Sequence, residues 1–208
     1  MSPRPYNLGQ RQLTTDQTRS RIVAAARELL ASDAGTTGFT VDAVAKQAGV
    51  SRMTVYYQFK SKRGVLEALF DDLANRGLMP HLRPVFAEPD PARQLEGLIE
   101  AFGKFWDSDR LVIRRARALA ALDPEVAESV QARDELRREH IRKILTPIIK
   151  TSNRAYATAV QTVHMLTSFE TFDTFLSIPY DLDRVTDIVC QLAAAVVDPP
   201  PSRPFRTR

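Results

Sequence analysis

Residues 40–62 read TVDAVAKQAGVSRMTVYYQFKSK, and the punctuation of this stretch decides the fold. Thr40 is a good N-cap, because its hydroxyl can accept from an otherwise unpaired amide, and Asp42 in the first turn suits the positive end of a helix dipole. A helix is expected from near Val41, with Val41, Val44, Ala45 and Ala48 at the i, i+3, i+4, i+7 spacing of a narrow apolar stripe. Gly49 stops it, since glycine reaches left-handed backbone angles without a side-chain clash, and Ser51 two residues on can cap another helix. That second helix runs from Arg52 to about Phe59. Two short helices across the tight turn Ala48-Gly49-Val50 form a helix-turn-helix, a shape used mainly to set one helix in the DNA major groove.

At about 100° per residue, and with Val55 and Phe59 turned inward, Met53 and Tyr57 point most directly outward, flanked by Thr54 and Tyr56. Arg52 lies nearer the buried side, yet its length and its place in the first turn let it reach a base edge or a phosphate. The hydroxyls of Thr54, Tyr56 and Tyr57 suit phosphate oxygens, and the two rings can rest on sugars or thymine methyl groups. Ser61 is positioned to cap a further helix beginning Lys62-Arg63-Gly64, which sets Lys62 beside unpaired amides where a phosphate could sit. The alternative for this segment is a helical hairpin with no ligand, Lys62 being a solvated lysine at a helix start.

Charge supports the first reading. Residues 1–63 carry a balance of +6 and the remaining 145 a balance of −2, so positive potential is confined to the part that bears the hairpin.

The wider pattern, RIVAAARELLASDAG, Gly38-Phe39-Thr40, VDAVAKQAGVS and TVYYQFKSKRGVLEAL, closely resembles the amino-terminal domain of the TetR family of bacterial transcriptional repressors. The resemblance covers about residues 15–75. It implies a three-helix bundle whose third helix reads an operator, and a following helix that links to a ligand-binding and dimerising domain. By position, Thr40, Ser51, Arg52, Met53, Thr54, Tyr56, Tyr57 and Lys62 match family contact positions, with Val55 and Phe59 as core. Met53 stands where many members have proline, glycine or a small residue, so base preference does not transfer.

Around this motif, 208 residues with 44% apolar content suffice for a packed core, and strand signals are almost absent. The fold class is all-α: an amino-terminal three-helix bundle with the helix-turn-helix, then a larger helical ligand-binding and dimerisation domain. The boundaries expected are a flexible basic arm at 1–13, the DNA-binding domain at 14–62, a connecting helix at 63–79, the effector-binding and dimerisation domain at 80–198 and a disordered tail at 199–208. The arm holds Arg4 and Arg11, of which Arg11 is the better candidate for the minor groove. Thr14 with Gln17 makes a capping-box signal for the first helix, and Ile22, Ala26, Leu29 and Leu30 make its inward stripe.

In the larger part, helices are expected at about 91–107, 109–122, 124–150, 154–178 and 182–197. The stretch 155–169 has no Asp, Glu, Lys or Arg, and a helix apolar around most of its circumference must be covered on more than one side. With Val185, Ile188, Val189, Leu192 and Val196 on the last helix, it can form a homodimer interface at about 154–197, which the resemblance also implies. The monomer-core reading stays open. The aromatic residues Phe102, Phe105, Trp106, Tyr156, Phe169, Phe172 and Phe175 with Met165 suit a small apolar or planar effector, and His140 and His164 could anchor its polar end. Glu170 or Asp173 could meet a cationic effector, and Arg114, Arg115 and Arg117 an anion or only solvent.

An enzyme is not expected. There is no Gly-rich phosphate loop, no nucleophile elbow and no metal-ligand cluster, and His81, His140 and His164 lack zinc spacing, so neither cofactor nor metal is expected. Cys190 reads as a small core residue, and one cysteine allows no disulfide within the chain, which fits a reducing cytoplasm. No secretion signal or membrane span is read. The expectation is a cytoplasmic, ligand-responsive repressor that binds an inverted-repeat operator as a homodimer. A constitutive or architectural DNA-binding dimer, or a helical enzyme without local motifs, stands as the alternative.

Overall fold

The computed structural model describes the backbone of residues 8–33, 35–150 and 153–198, and the side chains of all of these except 8–14 and 153. Among the described residues the secondary structure is helical throughout: α1 (Leu8–Ala31), α2 (Val41–Ala48), α3 (Arg52–Phe59), α4 (Lys62–Leu73), a π-helical turn (Ala74–Leu78), α5 (Met79–Ala87), α6 (Pro91–Ser108), α7 (Arg110–Leu122), α8 (Pro124–Leu145), α9 (Asn153–Leu166), α10 (Phe169–Phe175) and α11 (Leu182–Val197). No helix among these residues is long and apolar enough to cross a membrane.

The chain divides into two compact units, the first drawn from 1–72 with 111–129 and the second from 73–110 with 130–208. In the first, Ile22, Ala26 and Leu30 of α1 are fully buried, and Phe39, Val44, Val55, Phe59, Val65 and Leu69 complete the core. In the second, α6 supplies Leu98, Ile99, Phe102 and Trp106, α8 supplies Ile141 and Leu145, and Val163, Phe172, Val185 and Val189 come from α9, α10 and α11. Gly103 of α6 has no room for a side chain, because a Cβ there would lie 2.8 Å from the Phe172 ring.

Several boundaries differ from those expected. The first helix begins at Leu8, not at Thr14, so residues 8–13 belong to it rather than to an arm. The run Leu8-Gly9-Gln10-Arg11-Gln12-Leu13 holds no proline, and a single glycine costs a helix only about 1 kcal/mol. Residues 1–7, with Arg4, and the tail 199–208 lie outside the described residues. The connecting helix does not stop at 79. It passes through the π turn into α5, whose second residue is Pro80, and the ring of Pro80 would strike the carbonyl four residues back, inside the π turn, in a regular helix.

The helix expected over 124–150 stops at Leu145, where Pro147 removes an amide and disfavours the helical region for Thr146. The one expected over 154–178 is two helices. Ser168 takes an extended conformation and its side chain accepts from Thr171 N, starting α10 afresh. Residues 111–129, assigned from sequence to the larger domain, cluster with the first unit. There Arg115 donates to Leu30 O (2.7 Å) and to Ser32 O, a cation on the carbonyl end of α1 rather than an anion site. Cys190 is half-buried, and burial together with Glu96, Glu100 and Asp187 pushes its thiol up to about 11.

Candidate nucleic-acid interface

The turn of the hairpin is closed by backbone and side-chain hydrogen bonds on both sides. Thr40, in an extended conformation, accepts from Ala43 N at 3.1 Å. Gly49 sits at φ 63°, ψ 38°, and the amides of Gly49 and Val50 reach back to Lys46 O and Ala45 O at 3.2 and 3.0 Å, the Schellman arrangement. Arg21 of α1 adds a donor to Ala48 O at 2.9 Å. Ser51 then accepts from Thr54 N at 3.1 Å and shares a hydroxyl contact of 2.8 Å with Thr54 Oγ1.

The far end of α3 is as tightly set. Lys60 has φ 67°, ψ −37°, and Ser61 N bonds to Phe59 O at 2.8 Å, a γ-like reversal that few non-glycine residues adopt. Ser61 accepts from Gly64 N at 3.0 Å, the cap expected for α4. A Cβ on Gly64 would stand 2.0 Å from Phe59 O, so only glycine lets α4 start here. Beneath, Arg19 of α1 donates to Gln58 O and lies 4.4 Å from the Phe59 ring centre.

This framing leaves Met53 and Tyr57 the most prominent side chains of α3, 74% and 75% exposed. Thr54 and Tyr56 are partly covered. Thr40 and Ser51 act locally as caps. Arg52 is exposed and held, donating to Asp42 Oδ1 and Oδ2 at 3.2 and 2.9 Å and to Tyr56 Oη at 3.3 Å. Lys62 reaches Asp123 Oδ2 at 3.5 Å, each side chain about one third exposed. Next to it Arg63 pairs with Glu67 and Glu128 at 2.9 Å.

The candidate effector residues do not all converge. Trp106 gathers Phe105 (4.7 Å between ring centres), Phe102 (5.6 Å) and Phe169 (5.8 Å), and its Nε1 donates to Thr167 O at 3.0 Å. His164 is buried beside this cluster, in contact with Arg137. His140 lies elsewhere, stacked on Phe86 at 5.0 Å with Nδ1 on Leu136 O. Tyr156 donates to Arg142 O at the end of α8. Met165 is 55% exposed, because Val163 and Leu166 take the inward positions of α9. Asp173 is bound by Arg110 at 2.6 Å, which closes the end of α10 instead of leaving a charge for a cation.

Arg137, which the sequence reading passed over, is buried with its guanidinium 5.6 and 5.7 Å from the Phe102 and Trp106 ring centres. The pattern did hold a signal: Arg137 stands four residues before Ile141, on the stripe continued by Ile144 and Leu145. Burial, and then the charge of Arg137, hold His164 below its ordinary value, so its ring is neutral at pH 7.

Residues 22–69 match the family described as bacterial regulatory proteins, tetR family. The chain is 35% identical over 115 residues to the HTH-type transcriptional regulator EthR of Mycobacterium tuberculosis, a match covering 54% of this chain and 53% of the relative. The chain therefore spans about half the length of the curated relatives it matches. In fold it is similar to a putative TetR-family regulator from Rhodococcus sp. (TM-score 0.70, 17% identity, covering 88% of this chain and 99% of that one). It is also similar to FadR of Bacillus subtilis, solved with stearoyl-CoA (TM-score 0.67, 21% identity, covering 85% and 98%). The capped hairpin lies within the residues, 22–69, that match the tetR family of bacterial regulatory proteins, and the all-helical fold is the one these solved structures share.

Proposed function

We propose that this regulator is a ligand-responsive repressor that binds an inverted-repeat operator as a homodimer and is released by a small-molecule effector. The observation that carries it is the outward ridge of Met53 and Tyr57 on a helix fixed at both ends, with Arg52 and Lys60 beside its tyrosine rings and Lys62 at the start of α4. Apolar and aromatic groups suit base edges and sugars, and the cations suit phosphates. Thr40, Ser51, Thr54 and Tyr56 complete the contact set.

Two-fold pairing is supported by α9 and α11. Thr158, Met165 and Leu192 are exposed yet uncharged, and Ile188 is half-covered. A symmetric dimer through such a face sets two recognition helices for two half-sites. The second unit, with the aromatic cluster around Trp106, receives the effector, and the FadR structure with stearoyl-CoA shows one acyl ligand bound by a protein of similar fold. A preference of the effector for the arrangement that does not fit DNA, worth about 1–3 kcal/mol, gives roughly 5–150-fold release.

The test is selection of bound duplexes from a random pool, followed by gel retardation with the recovered site. An inverted repeat is expected, and Tyr57→Ala should abolish specific retention while leaving the dimer intact. Recovery of no common site, or full retention by Tyr57→Ala, refutes the reading.

A further inference from the structure

We propose that Arg137 is the anchor for an effector that is an apolar organic acid, its carboxylate taken by the guanidinium and its body lying along Phe102 and Trp106. This rests on the reading of the second unit as the effector-binding part, and it names the chemistry of that effector.

The cluster joins three elements. Phe102 and Trp106 stand one turn apart on α6, both within 6 Å of the guanidinium carbon. Asp134, one turn before Arg137 on α8, is its counter-ion, with Nη1 to Oδ1 at 3.1 Å. His164 of α9 brings Nε2 to 3.1 Å from Arg137 Nη2 and to 3.0 Å from Asp134 O.

Two features of this arrangement point to a guest. The Arg137 side chain is 2% exposed while that of Asp134 is 23% exposed, so the pair is lopsided: the acid can turn to water and the base cannot. A carboxylate arriving from the aromatic side can therefore replace Asp134 without leaving either charge in an apolar setting.

The second feature is the single nitrogen shared by two neighbours. With a lone pair, His164 Nε2 accepts from Arg137 and meets the Asp134 carbonyl as oxygen against nitrogen; with a proton, it donates to that carbonyl and meets the guanidinium as donor against donor. A guest carboxylate resolves this, taking the guanidinium hydrogen while His164 Nε2–H donates to Asp134 O. The aromatic faces suit an apolar body and stack on guanidinium.

Trp106 is the single tryptophan of the chain, so its emission reports on this site. The full-length protein is titrated with decanoate and 4-phenylbutyrate, and with decanol and 4-phenylbutanol as uncharged matches, following Trp106 emission and thermal unfolding. The acids should shift the emission and raise the unfolding temperature, with the alcohols about tenfold weaker or more, the size of effect expected when a charged hydrogen-bond pair is lost. Arg137→Met should erase that preference. Should Arg137→Met fail to fold, Asp134→Asn serves, since removing the competing carboxylate should tighten acid binding several-fold.

Equal binding of acids and alcohols, no response to either acid at millimolar concentration, or weaker acid binding by Asp134→Asn overturns the proposal. DNA retention measured alongside separates it from the repressor reading. Acids that bind through Arg137 but leave DNA bound sink the effector-released repressor and keep the site; release by the alcohols alone does the reverse.

Discussion

Arg52, the first residue of α3, is tied to Asp42 in the first turn of α2, its Nη1 donating to both carboxylate oxygens at 2.9 and 3.2 Å. The pair is exposed, so it contributes little to stability, but it balances the Arg52 charge at the start of α3. Asp42→Asn should tighten binding to every duplex and steepen the salt dependence by about one phosphate contact. Filter binding across a salt series checks this, and an unchanged slope would place Arg52 away from the backbone.

Lys62 is in the same position with respect to Asp123. Lys62→Ala should weaken binding to all sequences alike and lower the salt slope by about one, the mark of a phosphate contact. Asp123→Asn should do the opposite, because the ammonium loses its internal rival at 3.5 Å. A sequence-selective loss in Lys62→Ala would contradict the assignment.

His164 gives stability a pH dependence. Its folded-state pKa is depressed by burial and by Arg137, so between that value and the ordinary one near 6.5 the unfolded chain binds more protons. Stability is therefore complete above about pH 6.5 and falls as acid is added, at no more than about 1.4 kcal/mol per pH unit for one proton. Unfolding temperatures from pH 7.5 downward should show this decline, and His164→Asn should flatten it. A parallel decline in the variant would assign the loss to other groups.

Leu192 is 44% exposed on α11, while Val185, Val189 and Ala193 of the same helix are fully covered within the chain. Leu192→Asp should give a folded monomer in sedimentation equilibrium with much reduced operator affinity. A dimer that persists at low concentration would move the interface off this face.

The hairpin was legible because each of its boundaries is a local event: a hydroxyl cap at Thr40, a left-handed residue at Gly49, a second cap at Ser51. Period alone set Val55 and Phe59 inward and Met53 and Tyr57 outward. Where the reading failed, something beyond the local pattern decided. The Thr14–Gln17 signal falls inside α1, since a capping pair does not start a helix whose preceding residues are themselves helix-compatible.

Ser168 was hidden because the charge-free stretch 155–169 passes through it. The partners of Arg52, Lys62 and Arg115 lie at distances in sequence that no period reveals. Arg137 was missed because it sits in RDELRREH, where a charged residue on the inward stripe is outnumbered by charged residues that face solvent.

The contact of Gly64 with the Phe59 carbonyl has a bearing on how the surface of α3 can change. With no slack at the joint behind α3, the angle of that helix cannot be retuned by exchanging side chains at the hinge. Any change in what α3 presents must come from the ridge itself, one protruding group at a time, which makes Met53 and Tyr57 the free variables and the scaffold behind them a constant.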